Sequence, residues 1–285
     1  MPTGDISAAR WERYQRDRKA GRPRMVSQGD SWFDYPQHRN VVDDLVVTGR
    51  YAILRFEWSG ARLRELVEPA TLGLVRQWVR SERPSAVLWS GGGNDLFDPS
   101  VADPKQRWIW DAIRPAAEVP PGAQDDPGAW LRSDRWAAKL DDLRGGYARV
   151  AATLGPDAPV FVHGYDYLPV TGRPAAYDGV VFIGPWIKPA MDDRRVPDTA
   201  VRRAIVARLI DDFNAALATL ARERPLDVVY VDARHAVGTD DQWLNEIHPT
   251  PAGFQRVAER FDAALRDRLP GLLAERARRP RPALA

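Results

Sequence analysis

The feature of this sequence that most constrains its fold is a series of five short apolar segments, each ending in turn or polar residues. None shows clean alternation of apolar and polar side chains, which is typical of strands covered on both faces. We interpret all five as buried β-strands. They are Arg24–Ser27, Tyr51–Phe56, Ala86–Trp89, Val160–His163 and Val228–Val231.

Helical patterns lie between these segments. Apolar residues recur at helical spacing over residues 61–81, interrupted by Pro69, and over residues 199–222. A last helix is predicted to start at Thr250-Pro251, because a capping hydroxyl followed by proline is typical of a helix N-terminus. Strands that alternate with helices predict an α/β domain with three layers, in which helices cover both faces of a parallel five-stranded sheet.

Two stretches rich in aromatic residues and proline, 96–131 and 164–197, do not fit this repeat. Both begin at the carboxyl end of a predicted strand, the edge at which open parallel sheets bind ligands. We therefore interpret them as long loops of a single domain, in which tryptophans 108–130 could line an acyl or sugar site. The predicted organisation is a basic N-terminal extension (1–23), one domain (24–268) and a basic, proline-rich C-terminal tail (269–285).

Composition excludes several classes of protein. The chain has no cysteine, which rules out disulfides, thiolate metal sites and cysteine nucleophiles. It contains no run of 18 apolar residues that would predict a membrane span, and no signal-peptide pattern, so we expect a cytoplasmic protein. The net charge is only +2, and we expect no nucleic-acid partner.

Three motifs carry the candidate chemistry. In Ser27-Gln-Gly-Asp-Ser-Trp-Phe33, the first strand leads into a glycine and then a serine, Ser31, with a helix expected directly after it. In Ser90-Gly-Gly-Gly-Asn-Asp95, glycines after the third strand allow close backbone approach and place the amide of Asn94 at the same edge. In Asn245-Glu-Ile-His-Pro-Thr250, His248 stands immediately before the last helix. A serine is a poor nucleophile until a neighbouring base accepts its proton, and His248 is the candidate base.

Together these motifs resemble the SGNH (GDSL-type) family of serine hydrolases, in their order and over about residues 24–268. The longer strings GDSWFDYP, SGGGND and NEIHPT look like one bacterial branch of it. The resemblance implies a flavodoxin-like α/β/α fold, a nucleophile at Ser31 and a general base at His248. It also implies an oxyanion hole formed by the Ser31 N–H, the N–H of Gly60 and the side-chain amide of Asn94.

One position departs from the family pattern, which has an aspartate three residues before the histidine. This chain has Asn245 there, with Glu246 beside it. Glu246 could supply the carboxylate, Asn245 could orient the imidazole as a neutral group, or a backbone carbonyl could do so. We favour Glu246, because a carboxylate stabilises an imidazolium better than an amide does.

Other polar residues receive structural interpretations. His163 at the end of the fourth strand is interpreted as a pocket wall or packed turn, because a single histidine offers no metal-ligand set. Asp30 is interpreted as an acceptor that fixes the loop of the nucleophile.

The function that follows is hydrolysis of acyl esters through an acyl-enzyme on Ser31, without metal or organic cofactor. The expected substrate is a small-molecule, lipid or sugar ester, and the sequence does not indicate an oligomeric state. An acyltransferase that uses the same site, and a catalytically impaired flavodoxin-like binding module, are the alternatives.

Overall fold

A five-stranded parallel sheet forms the centre of the fold in the computed structural model, which describes residues 7–97, 103–177, 180–197 and 199–278. The order across the sheet is β2-β1-β3-β4-β7, and all four pairings are parallel. Strands β5 and β6 form a separate antiparallel hairpin. The strands are β1 Arg24–Gln28, β2 Ala52–Arg55, β3 Ala86–Trp89, β4 Val160–Val162, β5 Ala175–Tyr177, β6 Val180–Ile183 and β7 Val228–Tyr230.

Helices cover the sheet on both faces. Helices α2 and α11 pack against each other, and α8 packs against both α4 and α10. The helices are α1 Ala8–Lys19, α2 Val41–Val47, α3 Leu63–Leu66, α4 Pro69–Glu82, α5 Gly93–Phe97, α6 Trp108–Ala112, α7 Pro127–Trp130, α8 Ser133–Leu154, α9 Lys188–Asp193, α10 Thr199–Glu223 and α11 Pro251–Arg278. Short 3₁₀ turns lie at Pro104–Gln106, Ala116–Glu118 and Asp240–Gln242.

All five predicted strands are present, within one or two residues of their predicted ends. Every residue of β2, β3 and β4 is buried, as expected for strands that are covered on both faces. The predicted three-layer α/β fold is therefore confirmed. The interruption predicted at Pro69 is also present, because Pro69 is the first residue of α4 and separates that helix from α3.

The elements that were not predicted include helix α8 and the hairpin β5–β6. Helix α8 is one of the longest in the protein, yet Gly145 and Gly146 lie in its middle and weaken the helical pattern. A Cβ on Gly146 would lie 2.7 Å from Cδ2 of Leu63, so glycine there allows α8 to approach α3 closely. The hairpin β5–β6 lies within the stretch 164–197 that was interpreted as loop.

The two terminal segments contain helices that pack on the domain. In α1, the hydroxyl of Tyr14 donates to Glu82 at 2.6 Å. Helix α11 continues past residue 268 to Arg278, and Arg276 donates to the carbonyl oxygen of Leu226 at 2.8 Å. The predicted domain boundaries at residues 24 and 268 remain predictions. Helix α1 lies before the first boundary, and helix α11 continues past the second.

Candidate active site

The turn after β1 carries the candidate nucleophile. A Cβ on Gly29 would lie 2.7 Å from Cβ of Ser90, so only glycine lets this turn pass the end of β3. The backbone then closes one turn, in which the N–H groups of Phe33 and Asp34 both donate to the carbonyl oxygen of Asp30 at 3.0 Å. The helix expected directly after Ser31 is absent from this part of the chain. Helix formation resumes only at α2, where Asn40 provides a capping box.

Ser31 and His248 are in hydrogen-bond contact, although 217 positions separate them in the chain. The distance between Oγ of Ser31 and Nε2 of His248 is 2.8 Å. Both side chains are buried, with exposed fractions of 5% and 6%. Burial lowers the pKa of His248 to about 3, so the imidazole is neutral at pH 7 and can accept a proton.

The second ring nitrogen of His248 faces Asn245. Nδ1 of His248 lies 3.1 Å from Oδ1 of Asn245. The same oxygen accepts the backbone N–H groups of Ile247 and His248, at 3.0 and 2.9 Å. An atom that accepts two backbone N–H groups is an acceptor, so Nδ1 carries the imidazole proton. Nε2 is then the unprotonated nitrogen, as a base for Ser31 requires.

Glu246 is turned away from the imidazole, contrary to the expectation that its carboxylate would orient His248. Oε1 accepts the N–H groups of Gly172 and Lys188, at 2.9 and 3.0 Å. Oε2 accepts those of Trp186 and Ile187, both at 2.6 Å. The side chain is fully buried, and burial raises the pKa of this carboxyl. Glu246 therefore ties the loop of His248 to the two ends of the segment that contains the β5–β6 hairpin.

The candidate oxyanion residues besides Ser31 are Asn94 and Gly60. Asn94 and Ser31 line the same pocket, and Nδ2 of Asn94 donates to the carbonyl oxygen of Ala61 at 2.9 Å. Gly60, which precedes Ala61, has φ +80° and open space where a Cβ would stand. The structure thus brings Ser31, Asn94 and His248 together, and Asn94 contacts the residue next to Gly60.

A buried network lies beneath the nucleophile. Oδ1 of Asp30 accepts the hydroxyl of Ser90 at 2.8 Å and the N–H of Trp32 at 3.1 Å. Oδ2 of Asp30 accepts the hydroxyl of Tyr165, which in turn accepts the N–H of Gly93 at 3.0 Å. Burial raises the pKa of Asp30. The network joins the turn of Ser31 to the residue before Asn94, which fits the interpretation of Asp30 as a loop-fixing acceptor.

His163 belongs to this network rather than to a surface of the pocket. It is fully buried, and Nε2 lies 2.9 Å from Oγ of Ser90. The interpretation of His163 as a packed turn agrees with these contacts, and the interpretation as a pocket wall does not. Among the described residues, no group of three histidine, aspartate or glutamate side chains is arranged to hold a metal ion.

The pocket beside Ser31 is mainly apolar. One end is formed by Ser31 and Asn94, and the walls come from α5, from the segment after β4 and from α10. The apolar lining residues include Trp32, Leu96, Phe97, Leu168, Leu209, Ile210, Phe213 and Ile247. Trp108, Trp110 and Trp130, expected as possible lining residues, do not line this pocket. Trp110 and Trp130 are buried, and Trp108 packs on Trp136 with ring centroids 5.5 Å apart.

Three aromatic residues next to the site received no role from the sequence. The indole N–H of Trp32 donates to the carbonyl oxygen of Ile247 at 2.9 Å, which joins the serine turn to the histidine loop. The rings of Tyr35 and Trp186 lie with centroids 4.4 and 5.9 Å from the imidazole of His248. The positions of Trp32 and Tyr35 directly after Gly-Asp-Ser were the available signal. Trp186 stands 62 positions before His248, and no sequence signal links the two residues.

Comparison with known proteins shows the family to which this chain belongs. The sequence model of the GDSL-like Lipase/Acylhydrolase family matches residues 19–256. The chain belongs to this family. The resemblance inferred from the three motifs is thus confirmed, and membership in the GDSL-like family supports ester hydrolysis in general. No curated protein matches the chain.

Solved structures show a related fold at low sequence identity. The lipase Lip_vut3 from a goat rumen metagenome is 14% identical, with a TM-score of 0.52, and the match covers 87% of this chain and 99% of that one. An extracellular lipase from Streptomyces rimosus is 15% identical, with a TM-score of 0.49 and coverage of 85% and 99%. Phospholipase A1 from Streptomyces albidoflavus is 14% identical, with a TM-score of 0.48 and coverage of 85% and 99%. No helix within the described residues is long and apolar enough to cross a membrane.

Proposed function

We propose that this GDSL-like protein hydrolyses carboxylic esters through an acyl-enzyme on Ser31. The observation that carries the proposal is the 2.8 Å contact between Oγ of Ser31 and Nε2 of His248, together with the contact of Nδ1 to Asn245. His248 accepts the Ser31 proton as Oγ attacks the ester carbonyl. The imidazolium then protonates the leaving alcohol, and water releases the acyl group by the same steps.

The negative oxygen of the tetrahedral intermediate is assigned to three donors, the N–H groups of Ser31 and Gly60 and the amide of Asn94. Asn94 is buried beside Ser31, where a hydrogen bond to an anion is stronger than in water. The carbonyl of Ala61 that binds Nδ2 of Asn94 holds the amide in a fixed orientation.

The acyl group is assigned to the apolar pocket. Its walls include Leu209, Ile210 and Phe213 of α10, and among the residues that the structure describes no lysine or arginine side chain lines it. Each methylene buried there contributes about 0.8 kcal/mol, so a hydrocarbon acyl chain is favoured over an acetyl or a charged group.

A fluorophosphonate probe and a series of p-nitrophenyl esters test the proposal. We expect the wild type to label and to hydrolyse esters, and Ser31→Ala to do neither. Asn94→Ala should lower kcat by about 10²–10³, since one oxyanion donor typically contributes that factor. A folded wild type that neither labels nor turns over any ester would show a non-catalytic binding module instead.

Acyl-chain preference tests the assignment of the pocket. Ile210→Phe should lower kcat/KM for butyryl and longer esters while the acetyl ester, which needs little of the pocket, serves as the internal control. Equal losses for all chain lengths would place the acyl group elsewhere.

A further inference from the structure

The amide of Asn245 has a defined orientation. The residue is 1% exposed, so its polar atoms need partners inside the protein. Oδ1 accepts the N–H groups of Ile247 and His248, and a backbone N–H can only donate. The oxygen therefore faces the loop and the imidazole, and the NH₂ group of the amide points to the opposite side.

The hydroxyl of Tyr35 is the hydrogen-bond acceptor for that NH₂ group. Burial raises the pKa of Tyr35, and a hydrogen bond from the side chain of Asn245 to the phenol oxygen acts in the opposite direction and lowers it. The hydroxyl itself donates to Oε1 of Gln37 at 3.0 Å. An amide oxygen accepts, so Tyr35 donates its proton to Gln37 and keeps a lone pair for Nδ2 of Asn245. The donors run in one direction, from Asn245 to Tyr35 to Gln37. The ring of Tyr35 also packs on the imidazole of His248, with centroids 4.4 Å apart.

The orientation of the Asn245 amide is important because of the groups that contact the imidazole of His248. Its recorded contacts within the described chain are with Ser31, Tyr35, Trp186 and Asn245, none of which is an anion. The neighbouring carboxylate of Glu246 is held by four backbone N–H groups. The atom that faces the proton on Nδ1 is therefore Oδ1 of Asn245, which carries a partial negative charge.

We propose that Tyr35 is a positioning residue of a Ser31–His248–Asn245 system. Its hydroxyl holds Nδ2 of Asn245, so that Oδ1 stays on Nδ1–H of His248 and Nε2 stays free to take the Ser31 proton. When that proton moves to Nε2, the imidazolium keeps its Nδ1–H on the amide oxygen until Nε2 gives the proton to the leaving alkoxide. The inference rests on the proposed ester hydrolysis.

A double-mutant cycle tests whether Tyr35 acts through Asn245. Tyr35→Phe keeps the ring but leaves the buried Nδ2 without an acceptor, and we expect kcat to fall roughly tenfold with KM unchanged. In an Asn245→Ala background, the same change should have no further effect on kcat, because the amide that Tyr35 orients is gone. An equal fall in both backgrounds, or a rise in KM alone, would overturn the proposal.

Tyr51→Phe is the matched control. The hydroxyl of Tyr51 is buried and donates to Oδ1 of Asp262 at 2.8 Å. Its loss should lower stability comparably, measured as Tm, without changing kcat. A similar fall in kcat for Tyr51→Phe would show that the effect of Tyr35→Phe is a general loss of stability.

Imidazole ¹⁵N NMR gives a readout that does not need turnover. For wild type at pH 7 we expect His248 protonated on Nδ1 only, and for Tyr35→Phe a mixture of the two tautomers. An unchanged tautomer in Tyr35→Phe would overturn the positioning role. A changed tautomer in a protein that hydrolyses no ester would contradict the proposed function but support the positioning role.

Discussion

Two serine–histidine pairs lie in the part of the chain that the structure describes, and they differ in what surrounds them. Nε2 of His248 lies 2.8 Å from Oγ of Ser31, and Nε2 of His163 lies 2.9 Å from Oγ of Ser90. Burial lowers the pKa of both histidines to about 3. By distance and by pKa the two pairs are nearly the same.

The second ring nitrogen separates them. In His248, Nδ1 faces the oxygen of Asn245 and carries the proton, which leaves Nε2 as an acceptor. In His163, Nδ1 accepts the backbone N–H of Tyr165 at 3.3 Å, so the proton is on Nε2 and is donated to Ser90. The hydroxyl of Ser90 is in turn donated to Asp30. One histidine is therefore arranged as a base, and the other is a fixed donor in the core.

Removal of each serine hydroxyl is expected to give the largest difference between the two pairs. Ser31→Ala should reduce kcat about 10⁶-fold, the scale seen when a nucleophile that works with a base is removed. Ser90→Ala should keep kcat within about tenfold of wild type and lower Tm, because Asp30 and His163 lose a buried partner. The measurement is ester turnover with thermal unfolding on each variant. A folded Ser90→Ala protein without turnover would make the buried pair part of the chemistry.

The pH dependence of kcat/KM tests the protonation state of His248 in the Ser31–His248 pair. Neutral His248 is the active form, so kcat/KM should fall only as the pH drops towards its pKa of about 3. Asn245→Asp places a carboxylate on Nδ1, which favours the imidazolium and raises that pKa. We expect the acidic limb of the profile to move up by at least one pH unit. A wild-type limb near pH 6.5 would contradict the effect of burial on the pKa of His248, and no movement in Asn245→Asp would contradict the contact between residue 245 and Nδ1.

The smallest expected effect is on the pH dependence of folding stability, and it concerns the buried Ser90–His163 pair. Between its ordinary pKa of 6.5 and about 3, His163 binds a proton only when unfolded. Folding stability therefore falls as the pH is lowered through this window, by at most about 1.4 kcal/mol per pH unit for this group. His163→Phe should make the fall of the unfolding free energy between pH 7 and 4.5 less steep, as measured by urea titration. The same slope in both proteins would show that His163 does not contribute.

Sequence patterns predicted the sheet because its strands are buried on both faces, which leaves uninterrupted apolar runs such as Ala86–Trp89. They missed α8 because Gly145 and Gly146 serve a close helix contact rather than helix propensity. That contact joins residues from distant parts of the chain, and a local pattern does not report it.

The candidate site also has a part that local sequence patterns predicted and a part that they did not predict. The three motifs placed Ser31, Asn94 and His248 at one edge, and the structure brings these three together. The choice between Asn245 and Glu246 depended on the direction of the loop. Asn245 accepts the N–H groups two and three residues ahead, a turn for which asparagine is favoured, and the preference for Glu246 left this local signal out. The partners of Glu246 lie 58 to 74 positions away and leave no local trace.

The carboxylate of Glu246 has a consequence for changing this protein by design. It binds backbone atoms only, at Gly172 on one side of the β5–β6 hairpin and at Trp186, Ile187 and Lys188 on the other. These bonds do not depend on which side chains the intervening residues carry. Substitutions in strands β5 and β6 are therefore expected to leave these four bonds in place, as long as Gly184, where a Cβ would lie 2.6 Å from the ring of Trp186, and the residues at the two ends keep their backbone path.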